Sequence, residues 1–168
     1  MNFFSIKEFF YKLNTIGFIL LLMPLMVFVF LYFRALATDP AIGDERQLNA
    51  LLMILTAVVI VDLTIVHWLW WVKMNRLKRL PELARKMDGY FRMVIVKNAA
   101  YALSALMMAL GFFMTESMYF TGMFLLLALT LIMQWPRPAS FCDHLGLRGS
   151  ERDLVINNRD LYRKPPTA

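Results

Sequence analysis

The fold class predicted for this 168-residue chain is an all-α integral membrane protein, and three observations predict it. Hydrophobic residues make up 60% of the chain, at a mean hydropathy of +0.56, too apolar for a soluble domain unless they share one core. They instead gather into runs bounded by clusters of charge. The longer runs match the roughly 20 residues that a helix needs to cross a hydrocarbon core of about 30 Å. The expectation is four transmembrane helices, at about 13–34, 47–72, 93–115 and 117–135, with short amphipathic cytoplasmic helices beside them.

The first dozen residues place Phe3, Ile6, Phe10 and Leu13 at helical spacing with Lys7, Glu8 and Lys12 elsewhere on the wheel, so 1–12 reads as an interfacial helix. Leu13 to Phe33 carries no charge and forms the first span, and Pro24 near its middle removes a backbone donor and predicts a kink. Ala35-Leu36-Ala37 has the form of a signal-peptidase site. Arg34 directly before it and the length of the apolar run argue for a retained span.

The second span, 47–72, is interrupted by Asp62 and ends in Trp68, Trp70 and Trp71, which with Trp135 read as interface anchors at headgroup level. Between Asn98 and Trp135 the only charge is Glu116. One helix over that stretch would measure about 57 Å, so it folds into two spans at Thr115-Glu116-Ser117. Arg137 and Pro138 follow the fourth.

Basic residues set the direction. Two lie in the N-terminal segment, seven between spans two and three with Lys97 just inside the third, and six in the tail at 136–168, leaving only Arg34 and Arg46 opposite. Positively charged loops resist translocation, so both termini are expected on the cytoplasmic side of the membrane. The net charge of +6 is assigned to anionic lipid and not to nucleic acid, because it flanks the apolar runs. The cytoplasmic loop at 73–92 carries Lys73, Arg76, Lys78, Arg79, Arg85 and Lys86. Leu80, Leu83, Met87 and Tyr90 form a stripe beside these charges, and the loop is expected to lie on the inner leaflet. In the tail, 139–145 allows one or two helical turns before Gly146, and Ser150 with Asp153 has the form of a capping box.

A carboxylate inside a span costs about 2.5–3.5 kcal/mol on insertion scales, which makes Asp62 the most informative side chain. It is either a proton or cation coupling site or a structural partner of Lys97, with Tyr101 and Ser104 on the same stripe as Lys97. His67 lies about 140° round the helix from Asp62 and reads as an interfacial histidine. The lone Cys142 excludes an intrachain disulfide and CxxC chemistry, and with Asp143 and His144 it falls short of a four-ligand metal site. No GxSxG, HExxH, P-loop or paired-carboxylate pattern occurs, and no cofactor is implied.

From Asp88 onward the order Tyr90-Phe91-Arg92, apolar run, short turn, apolar run, Arg137-Pro138, Leu145-Gly146-Leu147 and Glu151 resembles a group of small, uncharacterised four-span inner-membrane proteins of Bacteroidetes type. The resemblance spans roughly residues 88–163. It implies a bacterial inner membrane and transfers no activity or site. The expected role is a non-enzymatic accessory or assembly subunit that packs on a membrane-protein partner or on a second copy. The alternative is a small oligomeric transporter or channel that uses Asp62.

Overall fold

The computed structural model describes residues 6–35, 37 and 45–157. Among them are six helices and no strand: α1 (Ile6–Ala35), α2 (Glu45–Leu77), α3 (Leu83–Thr115), α4 (Met118–Met133), α5 (Pro138–Leu145) and α6 (Ser150–Ile156). The first three are each long and apolar enough to cross a membrane. With 16 residues, α4 measures about 24 Å and meets α5 at a bend of 84°. Pro136, followed by Pro138 at the start of α5, accounts for that bend, because neither ring supplies a backbone donor.

The helices run past the limits that the apolar runs suggested. Ile6 opens a single helix that continues through Pro24, so the expected interfacial helix at 1–12 is the first part of α1; Phe3 lies outside the described residues. Ile6, Phe10 and Leu13 are buried against protein, not laid on lipid. The third helix begins at Leu83, ten residues before the expected span, and α2 continues to Leu77. The loop expected at 73–92 thus shrinks to 78–82. Its stripe of Leu83, Met87 and Tyr90 turns inward, with Met87 and Tyr90 almost wholly covered, which corrects the expectation of a helix on the leaflet. The same periodicity serves a helix on a membrane and a helix in a bundle; here the bundle supplied the partner surface.

At the centre of the bundle α3 packs against α1, α2 and α4. Two apolar clusters divide its length. At the basic end, α1, α3, α5 and α6 bring together Phe9, Phe10, Tyr90, Phe141 and Val155; at the opposite end, Phe28 stacks on Phe124 at 4.2 Å among Phe112, Phe120 and Met108. The α3–α4 corner uses Glu116 in the left-handed region (φ 53°), whose N–H reaches Phe112 O, while Thr115 Oγ1 accepts from Ser117 N–H. Gly146 (φ 64°) ends α5, and the Leu147 N–H folds back on Cys142 O at 2.9 Å. Gly149, not Ser150, caps α6. Ser150 is the first helical residue and makes no capping bond, which corrects the expected capping box.

Close approach of α3 to α4 depends on Gly111. A Cβ there would stand 2.6 Å from Cε1 of Phe120, a ring with no exposure and no room to retreat. Gly111→Ala is expected to cost about 1–3 kcal/mol through overpacking. Gly122→Ala, with nothing within 4 Å of the added carbon, should be neutral or stabilise by up to about 1 kcal/mol. Thermal unfolding in detergent compares the two.

Candidate functional site

One face of α3 carries Tyr90, Val94, Lys97, Tyr101 and Ser104 at steps of three and four residues, and this face forms the back wall of a cleft between α2 and α4. The cleft's two walls meet at the far end, where Thr56 Oγ1 and Tyr119 Oη lie 3.1 Å apart. At the basic end they part around a cavity of about 310 Å³, closed below by α5.

The polar contacts run along this wall. Ser104 Oγ donates to Asp62 Oδ2 at 2.8 Å, and Asp62 itself is half-buried. One turn on, Tyr101 Oη accepts from Gln134 Nε2 at 3.3 Å, and the His67 ring meets the Tyr101 ring edge-on at 6.2 Å. A further turn brings Lys97 Nζ to 4.4 Å from the centre of the Trp70 ring, a cation–π contact worth about 0.5–2 kcal/mol. Last comes Tyr90, whose hydroxyl lies 3.4 Å from His144 Nδ1.

Asp62 and Lys97 do not form the expected ion pair. The antiparallel register sets Asp62 opposite Ser104 and Trp70 opposite Lys97, which separates the two charges by about 10–12 Å along the bundle. The same register carries Gln47, at the far end of α2, past Thr115 at the end of α3, so residues at similar distances from those two ends do not come level. Tyr101 and Ser104 do belong to the same wall, but only Ser104 reaches the carboxylate.

The four tryptophans separate into two groups. Trp68 and Trp71 are exposed, at 62% and 65%, whereas Trp70 and Trp135, also expected as interface anchors, turn into the cavity. Of the basic residues assigned to the membrane surface, Lys73, Arg76, Lys78, Arg79 and Arg85 are exposed, and Arg85 pairs with Glu82 at 2.8 Å. Lys86 departs from them. It is buried and bonds Glu151 of α6 at 3.1 Å, so it ties down the tail instead of facing lipid.

Four contributors to the cavity were not legible as site residues: His67, Gln134, Ser140 and His144. Extending the Lys97–Tyr101–Ser104 stripe by about two turns finds Val94 and Tyr90. Nothing in the sequence announces that α5 folds back to deliver His144. Its ring packs against Trp70 and Tyr90, and burial, reinforced by Lys97 and Lys78 and opposed by Asp143, holds its pKa below the usual 6.5. Because the unfolded chain then binds that proton more readily, acidification from pH 7 through 6.5 should erode stability. The ring is partly open to solvent, so the loss is expected to be only a few tenths of a kcal/mol. His144→Gln should abolish that part of the pH dependence of the unfolding midpoint.

Compared with family models, with curated proteins and with solved structures, the chain matches none.

Proposed function

We propose that this is a four-span bacterial inner-membrane protein with cytoplasmic termini that serves as a non-enzymatic accessory or assembly subunit, packed in the bilayer against a membrane-protein partner. One observation carries the reading. Along α2, Asn49, Met53, Thr56, Ile60, Thr64 and His67 recur at steps of three and four residues on one face, and all but the half-buried Thr56 are exposed. Polar groups at intervals along a helix face are costly against lipid and are a common feature of helix–helix contacts in membranes. That stripe fits a partner helix. The concentration of Lys and Arg at one end of the bundle supports the orientation, and the Arg137-Pro138 and Leu145-Gly146-Leu147 resemblance supports a bacterial inner membrane.

The alternative is an oligomeric transporter or channel, which the polar run from Asp62 to the His67–Lys97 cavity favours. Purification in mild detergent with mass analysis of what co-elutes decides between them. A larger membrane protein at a fixed ratio, lost on Asn49→Leu with His67→Leu, supports the subunit. A homo-oligomer free of other proteins favours transport, and a monomer overturns both.

A further inference from the structure

Lys97 is 8% exposed, its ammonium opens into the cavity, and among the described residues it pairs with no carboxylate. A charge so nearly removed from water is costly without an opposite charge, and the Trp70 ring face offsets only part of that cost. None of the cavity's lining residues is acidic. Around Lys97 stand further polar side chains from three other elements: His67 of α2, Gln134 beyond α4, and Ser140 and His144 of α5. A cation without a counter-ion, ringed by hydrogen-bonding groups, is the arrangement that receives an anion with several acceptor oxygens.

The remaining lining is apolar and leads sideways. Trp70 and Trp135 are half-buried, while His67 on α2 and Met133 on α4 form an exposed rim, Met133 at 85% exposure. The volume, about 310 Å³, lies at the lower end of the 300–1,000 Å³ usual for small-molecule sites, enough for a headgroup and a few carbons. The exposed Trp68 and Trp71 place the rim at headgroup depth.

We propose that this cavity binds the phosphate headgroup of an anionic membrane lipid, with Lys97 as its charge partner and the acyl chains leaving between α2 and α4 into the bilayer. The site takes from the functional reading above only that the protein sits in a bilayer, so a missing partner protein would not affect it. Free phosphate shares the headgroup chemistry, and the exposed Met133 side chain at the rim, with the half-buried Trp70 and Trp135 behind it, favours the lipid.

The test uses the full chain in a neutral maltoside detergent, with phosphatidic acid, phosphatidylcholine or inorganic phosphate added. The unfolding midpoint and the lipids retained in native mass spectrometry are read for wild type, Lys97→Met, Lys97→Arg and the exposed-site control Lys73→Met. Phosphatidic acid is expected to raise the midpoint and to remain at one molecule per chain in wild type, Lys97→Arg and Lys73→Met. Lys97→Met should lose at least about fivefold in affinity. Binding should largely survive about 1 M salt, where screening beyond about 3 Å removes diffuse attraction to the exposed basic residues. An equal shift from phosphatidylcholine, unchanged affinity in Lys97→Met, or equal loss in Lys73→Met would overturn the site. An equal shift from inorganic phosphate would overturn the lipid as its ligand. Should Lys97→Met fail to fold, His144→Leu takes its place, and the comparison of the three additives on wild type still decides.

Discussion

Phe141→Ala is expected to destabilise the protein by about 3–5 kcal/mol and to free its C-terminal helices from the bundle. The ring has no exposure and meets Phe9 at 5.7 Å, Phe10 at 5.9 Å and Tyr90 at 4.8 Å, each close to edge-on. It is the side chain through which α5 reaches both α1 and α3, so truncation opens a cavity that no single neighbour can fill. The cluster stands at the basic end, beyond the longest apolar runs, where water competes for the exposed surface and the hydrophobic term applies in full. Leu129→Ala provides the contrast: that side chain is 59% exposed on the apolar outer face of α4 and should cost under about 1 kcal/mol. Thermal unfolding reads the stability, and trypsin cleavage at Arg148 and Arg152 reads release of the tail. Equal losses in the two variants, or a tail as resistant as in wild type, would show that α5 is not held by this ring.

The apolar runs and the charge clusters were enough to locate α1 to α4, because a run without charge longer than about 18 residues has few other uses, and Thr115-Glu116-Ser117 marked the α3–α4 corner correctly. What lay outside the runs was harder to read. Leu83, Met87 and Tyr90 show helical periodicity whichever surface they meet, and only the returning Phe141 and Leu145 determine that the surface is protein. The cleft was half legible. Lys97, Tyr101 and Ser104 share a face by spacing alone, but pairing that face with α2 needs a register, and helix ends counted from charges are uncertain by a turn or more. A shift of about two turns moved Lys97 from Asp62 to Trp70. The polar stripe on α2 was present in the sequence at steps of three and four, hidden by the apolar average of the helix that carries it.

Glu151→Ala is expected to cost about 2 kcal/mol, and the double change with Lys86→Met to recover most of it. The Lys86 side chain is 10% exposed and bonds Glu151 Oε2 at 3.1 Å, so removing the carboxylate leaves an ammonium nearly shut off from water. Breaking a fully buried pair costs about 3–5 kcal/mol; the 35% exposure of Glu151 admits water and lowers that figure. Replacing both partners removes the stranded charge and leaves a buried apolar side chain at position 86, which explains the recovery. Arg85 next to it supplies the control. Its pair with Glu82 is 68% and 58% exposed and spans one helical turn, so Glu82→Ala should stay within about 0.5 kcal/mol. The same variants separate a tail anchor from a lipid-binding lysine. If Lys86 faces α6, Lys86→Met leaves association with anionic liposomes near wild type while Arg85→Met weakens it by roughly 1 kcal/mol. If instead Glu151→Ala is silent and both basic residues weaken liposome binding alike, Lys86 belongs to the membrane surface and α6 is held by Val155 and Leu154 with the Arg152–Asp143 pair.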